Sequence, residues 1–316
     1  MFQTKVEIPV SEVKIDYEDK IMTLGSCFAE NIGQKMLEVW FDTNINPFGV
    51  LYNPVSILKS IELLLENKIF TETDLFEHRG LWQSFSHSSL FSDITAEKCL
   101  TKINERYLSA CEFIKLTDFL LITFGTSWVF EEKSSGKVVS NCHKLAANHF
   151  VRRRLTVEEI VKEYSILIEK LSQLFPKMKL IFSVSPIRHW KDGPHENNIS
   201  KSTLLLAINE LEQKFSQVHY FPAYEIQMDE LRDYRFYAAD MFHPSDVAVD
   251  YIWKRFSETY FDVRTLKIKK EMEQLRSDMS HRPLQQDSEE FLLFQKNTEN
   301  RKLRIIEEYP FLKNRI

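Results

Sequence analysis

Short apolar runs that stop abruptly at a glycine, serine or proline, and that alternate with long helical patterns, restrict this chain more than any other feature. Ile21-Met22-Thr23-Leu24 stops at Gly25. Asp118 to Phe124 stops at Gly125, Leu180 to Val184 at Ser185-Pro186, and the shorter Val218 to Phe221 at Pro222. Amphipathic patterns fill the intervals over 28–39, 55–66, 96–115, 156–174, 201–215 and 245–260. Strands that are apolar throughout are buried on both faces, and their separation by helices is the mark of a mostly parallel sheet. The spacing therefore predicts an α/β protein of three layers, α/β/α, over residues 1–264.

In such a sheet ligands bind outside the carboxyl ends of the strands. The rule directs attention to Gly25-Ser26-Cys27, Gly125-Thr126-Ser127 and Ser185-Pro186, each directly behind an apolar run. Glycine is scarce, at 7 in 316 residues, so a glycine at a strand end marks a place where the backbone needs unusual freedom or close approach.

From about Thr265 the character changes to a charged, helical extension, residues 265–316, carrying Phe291, Leu292, Leu293, Phe294, Ile305, Ile306 and Phe311, with a break at Pro283. It offers a surface for packing back on the domain or for a homodimer, and both readings stand. The net charge of −5 gives no basic footprint for nucleic acid. Arg152-Arg153-Arg154 reads as a solvated loop or helix start. Met1 to Lys5 carries no apolar signal region, and no uncharged run approaches the ~18 residues of a membrane span. Cys27, Cys99, Cys111 and Cys142 have no disulfide-framework or C-x-x-C spacing. The expected compartment is a reducing cytoplasm, with the thiols free.

Gly25-Ser26-Cys27 ends a strand and opens a helix, where unpaired N–H groups and the helix dipole favour negative charge. A thiolate is stabilised at such a place, and a serine there needs a base beside it. The bland alternative is a capping Ser26 and a small buried Cys27. Late in the chain, Ala238 to Asp246 reads AADMFHPSD, with Asp240 and His243 in one turn. That spacing lets a carboxylate hold one ring nitrogen while the other accepts a proton from a nucleophile. A turn-capping Asp and a surface His are the bland reading here.

The order of these parts resembles the SGNH (GDSL-like) hydrolase superfamily, in which an early strand-end G-D-S supplies Ser and a late D-x-x-H supplies Asp and His. More narrowly, Gly25-Ser26-Cys27-Phe28-Ala29 resembles the motif that names the GSCFA family of bacterial proteins. Asn46-Pro47-Phe48-Gly49, Asn141-Cys142-His143-Lys144, Ser185-Pro186-Ile187-Arg188-His189 and Tyr234-Arg235-Phe236-Tyr237 are similar to that family as well, over most of residues 5 to 260. The resemblance implies an SGNH/flavodoxin-like fold. Aligned without gaps on G-D-S, it lays Cys27 on the nucleophile and Ser26 on the helix cap; a one-residue shift makes Ser26 the nucleophile. Ser127 stands where the superfamily carries its oxyanion-hole Asn, so backbone N–H groups of Cys27 and Gly49, with Asn148 or Lys144, are expected to complete the hole.

Cys142, His143 and Lys144 are expected to contact substrate or serve structure, and Arg188 either to receive a carboxylate or phosphate or to form a surface salt bridge. His78 to Trp82, with His87, reads as a lid wall, and Trp82 and Trp128 as pocket lining or core. No metal or other cofactor is expected. The leading function is an acyl hydrolase, esterase- or thioesterase-like, or an O-acyltransferase, working through a covalent acyl-enzyme on a small-molecule or carbohydrate ester, such as an envelope precursor. Its rivals are an inactive SGNH-fold scaffold and a metal or redox site built from Cys27, Cys142 and His143.

Overall fold

The computed structural model describes residues 4–282 and 288–316. Met1 to Gln3 and Pro283, used above to read the N-terminus and the extension, lie outside them. The central sheet is built from β1 (Lys20–Gly25), β2 (Asp42–Ile45), β5 (Phe119–Phe124), β9 (Lys179–Val184) and β10 (Val218–Tyr220), all parallel, in the order β10-β9-β5-β1-β2. Two antiparallel additions lie outside it: the hairpin β3 (Phe76–His78) and β4 (Leu81–Gln83), and a three-stranded sheet of β6 (Trp128–Glu132), β7 (Val138–Val139) and β8 (Phe150–Arg154) in the order β7-β6-β8. Helices are α1 (Cys27–Glu38), α2 (Pro54–Glu66), α3 (Ala96–Ile114), α4 (Val157–Leu174), α5 (Gly193–Lys214), the single turn α6 (Ala223–Glu225), α7 (Asp246–Tyr260), α8 (Val263–Ser280) and α9 (Glu289–Glu308).

The period of two along each strand divides the core. Met22, Leu24, Leu120, Ile122, Leu180 and Phe182 pack into a cluster with apolar residues of α2, α3, α4 and α5. Ile21, Phe119, Leu121 and Ile181 point the other way, into a cluster with α1 and α7. The result is the expected α/β/α sandwich with flavodoxin-like winding. Ile268, Met272, Leu275, Ile305 and Leu312 of the C-terminal segment join the second cluster beside Tyr17, Phe41 and Phe261, and Arg315 donates to the Tyr17 carbonyl at 2.6 Å. The extension thus packs back on the sheet's helical layer. No helix among the described residues is long and apolar enough to cross a membrane.

Several sequence readings change. Arg152-Arg153-Arg154 is strand β8, paired against β6 with Phe130 opposite Arg152 and Trp128 opposite Arg154, not a solvated loop or helix start. Polar alternation, with Glu131 and Glu132 on β6, hid this half-exposed sheet from a search for apolar runs. The helix expected from Lys201 begins at Gly193. The supposed lid wall is the β3–β4 hairpin, turned through left-handed Arg79 and Gly80; His87 is buried against Phe48, Phe70 and Phe91, and Trp82 packs on the core.

Between β1 and β5 the winding reverses, and Gly25 closes β1 at that point. Its φ of +136° is a conformation that side chains rarely adopt, and a Cβ there would meet the Thr123 carbonyl oxygen at 2.2 Å. The Gly25 N–H donates to Asn46 Oδ1 at 2.9 Å and Ser26 N–H to Thr123 O at 3.2 Å, which turns the chain sharply into α1. Gly25→Ala combines backbone strain with a backbone clash, and a loss of roughly 2–6 kcal/mol is expected from the two effects. Urea unfolding of the variant checks this; a midpoint equal to wild type would refute it.

Candidate active site

The strand ends behind β1, β5 and β9 open on one cavity of about 590 Å³, into which Ser26, Thr126, Ser185 and His243 all reach. Each end is built differently. Ser26 is the N-cap of α1: it is buried, and its Oγ accepts from Phe28 N–H at 3.3 Å. Cys27 is the first helical residue, is partly exposed, and sets its Sγ 3.7 Å from the Tyr52 hydroxyl. Its own N–H, one of the four that a helix start leaves without an internal acceptor, has no partner among the described residues. Desolvation and the Cys27 thiol push the Tyr52 phenol well above its ordinary value, so Tyr52 stays a neutral hydroxyl. The Tyr52 carbonyl also accepts from Gly125 N–H at 2.7 Å and Thr126 N–H at 3.0 Å, fixing the loop behind β2 to the end of β5.

Asp240 and His243 form a closed turn before α7. Asp240 Oδ1 accepts from the backbone N–H of His243 at 3.0 Å and of Phe242 at 2.9 Å, and Oδ2 lies 2.6 Å from His243 Nδ1. Those two backbone donors, then the imidazole, hold the Asp240 carboxyl down at about 2. An ionised Asp240 only accepts, so Nδ1 is the donor and Nε2 is left to accept a proton. Both side chains are about half exposed, at 49% and 46%. Met241, at φ +63°, makes the tight turn. Among the described residues no hydrogen bond joins Nε2 to Ser26 or Cys27.

The cavity gathers some sequence candidates and leaves others outside. Ser26, Cys142, Arg188 and His243 line it, and Cys27 borders it through Tyr52. Gly49 does not line it: its N–H is already given to Asn46 O at 2.7 Å, and the residue packs on Ser88. Ser127 is buried and tied to Ser200 through both N–H (2.8 Å) and Oγ (3.1 Å), so neither group is free for an oxyanion. His143 is buried with Nε2 2.8 Å from Ser84 O. Lys144 and Asn148 are exposed outside the lining. Cys27, Cys142 and His143 do not converge: no group of three metal-ligating side chains forms among the described residues.

Trp128, expected as pocket lining or core, lines the cavity, and residues that the motif search passed over complete the site. Tyr52, Trp128, Phe130, Trp190 and Phe242 supply aromatic walls. Arg152 lies 4.2 Å from the Trp128 ring centre and pairs with Asp192 through both carboxylate oxygens. His189 faces the same space; burial first, then the charges of Lys201 and His243, lower its imidazole to about 4, so it is neutral at pH 7.

A polar stripe on α5 fastens the floor. Asn197 Oδ1 accepts from His189 N–H at 2.9 Å, and Ser200 Oγ holds Thr126 and Ser127. Lys201 is 1% exposed and donates from Nζ to Gly125 O and Ser185 O, both at 2.7 Å. The spacing Asn197, Ser200, Lys201 is i, i+3, i+4, one helix face. Polar residues on a face flanked by Leu204, Ala207 and Ile208 were the available signal.

The model of the GSCFA family matches residues 20–256. No curated protein matches the sequence. Among solved structures, the acetyl xylan esterase Est2A from the rumen bacterium Butyrivibrio proteoclasticus aligns with 12% identity and a TM-score of 0.40 over 78% of this chain and 64% of that one. A family two carbohydrate esterase from Clostridium thermocellum, solved with cellohexaose, aligns with 12% identity and a TM-score of 0.37 over 82% of this chain and 66% of that one. This chain thus spans slightly under two thirds of either protein.

Burial, reinforced by Arg188, lowers the Lys201 ammonium to about 7, against 10.5 for an exposed lysine. Between those values the unfolded chain binds the proton and the folded chain does not, so stability rises as pH increases from about 7 towards 10. Urea midpoints across that range check the sign. The rise is expected to vanish in Lys201→Met, and an identical rise in the variant would refute the assignment.

Proposed function

The chain belongs to the GSCFA family, and on that premise we propose that it is an acyl hydrolase of the SGNH type acting on a small ester through a covalent acyl-enzyme. The observation that carries the reading is the Asp240–His243 pair, its Nε2 free, at the edge of the cavity into which the α1 elbow opens.

Cys27 is the nucleophile in this reading. It is the accessible member of the elbow, at the positive end of α1, while the Ser26 oxygen is engaged as a cap. The thiol gives its proton to His243 Nε2 and its sulfur bonds to the ester carbonyl carbon. The resulting oxyanion is held by the unpartnered Cys27 N–H. The C–O bond then breaks, the alcohol leaves with the proton from His243, and water, deprotonated by the same imidazole, cleaves the thioester. Asp240 keeps the imidazole in the tautomer that both transfers need. Closing the remaining gap to the nucleophile falls to the half-exposed turn at 240–243, since catalytic bonds are often long before substrate binds. The volume suits a ligand the size of one or two sugar rings, and aromatic walls suit the apolar faces of such rings. The same acyl-enzyme passed to an alcohol instead of water makes an O-acyltransferase. A second assignment, Ser26 as nucleophile, has one observation in its favour: Ser26 and not Cys27 lines the cavity.

In a Cys142→Ser background, iodoacetamide is expected to alkylate Cys27, more slowly when His243 is replaced by Ala, as read by intact mass. Hydrolysis of p-nitrophenyl acetate is expected to fall about 10²–10⁴-fold in His243→Ala and by a similar factor in Asp240→Asn, and to cease in Cys27→Ala. Ser26→Ala keeps turnover and costs about 1 kcal/mol of stability as a lost cap. Loss of turnover in Ser26→Ala, with fluorophosphonate labelling of Ser26, transfers the role to serine. No labelling and no turnover with any ester abandons the hydrolase reading in favour of a binding scaffold.

A further inference from the structure

The cavity carries a charge imbalance that acyl transfer does not use. Arg152, Arg188 and Lys191 face it against Asp192 alone. Arg152 and Asp192 cancel in their two-bond pair. Arg188 has no carboxylate partner among the described residues; its one hydrogen bond is a long one, 3.4 Å from Nη2 to Asn198 Oδ1, and its Nε is buried without an acceptor. A guanidinium offers five donors in a rigid fork; here the buried Nε is left without an acceptor, which is unfavourable, and the Nη groups, in an exposed contact only, are open to a ligand. The Arg188 group lies 5.5 Å from the Trp190 ring centre, and the exposed Lys191 ammonium 5.2 Å from that of Phe130. Cations and aromatic faces therefore share one wall. The chain as a whole is negative, at −5, so the concentration of positive charge is local to the cavity.

We propose that the ligand of this cavity carries a fixed negative charge, a carboxylate or a phosphate, received by the Arg188 fork with Lys191 beside it while Trp190 packs against the ligand body. The substrate of the proposed hydrolase is then an anionic ester; that step rests on the hydrolase reading, whereas the binding itself does not. Asp240 is not among the residues lining the cavity, and its oxygens are turned to His243 and two backbone donors.

The test uses the whole chain and three matched probes: methyl glucoside, methyl glucuronide and methyl glucoside 6-phosphate, titrated by tryptophan fluorescence at low and high salt. At least one charged probe is expected to bind about 10- to 100-fold more tightly than the neutral one, the span of a charge-assisted hydrogen-bond set. Which charged probe leads distinguishes carboxylate from phosphate. The preference is expected to shrink in salt, to disappear in Arg188→Gln and to weaken in Lys191→Gln, with unchanged thermal unfolding as the control; Lys191→Gln carries the test alone if Arg188→Gln unfolds. Equal binding of all three probes, no binding of the charged ones, or a preference untouched in both variants overturns the proposal. Charge preference without ester turnover removes only the hydrolase reading, and turnover without charge preference removes only this one.

Discussion

The buried Nζ of Lys201 holds the ends of two neighbouring strands together. Beyond the last ladder bonds of β5 and β9, the carbonyls of Gly125 and Ser185 need donors or water. One side chain from α5 reaches both. The same helix face grips the Thr126–Ser127 loop through Ser200 and the His189 backbone through Asn197. On the other side, Asn46 and the Tyr52 carbonyl fasten the ends of β1 and β5. The cavity floor is thus backbone held in place by a few buried polar groups. That is a well-fastened base for a site whose proposed acid–base pair stands on an exposed turn.

The elbow shows how one tripeptide divides two tasks. Gly25 is required by its φ and by the approach of Thr123. Ser26 then caps the helix through its Oγ, and it is buried. Cys27, one residue on, has an open N–H and an accessible sulfur. Tyr52, held neutral, sets its hydroxyl 3.7 Å from that sulfur, where either group can donate, and adds no competing charge.

Much of the sheet was legible because burial on both faces leaves only apolar side chains available: residues 21–24, 119–124 and 180–184 read directly. β2, with Asp42, Thr43 and Asn44 on an edge, carries no such pattern. The β6–β8 sheet alternates polar and apolar, and its arginines read as surface. The Asp240–His243 pair was legible because three residues of one tight turn determine its geometry. The oxyanion donors were not. Gly49 and Ser127 sit near their expected places in the chain, yet Asn46 O and Ser200 had already taken their hydrogen bonds. Spacing says which groups can approach a site and not which are still unpaired when they arrive. Arg152 and Asp192 show the same limit in reverse, for their pairing joins a strand to a distant helix start.

The electrostatic character of the cavity follows from which charges survive burial. Desolvation keeps His189 neutral down to about 4 and brings Lys201 to about 7, so groups that titrate are the ones the interior silences. A guanidinium does not surrender its proton under such conditions. Positive charge in this cavity is therefore carried mainly by arginine, and Arg152 has spent its own on Asp192. Arg188 remains, with its fork largely idle, close enough to Lys201 to depress it further.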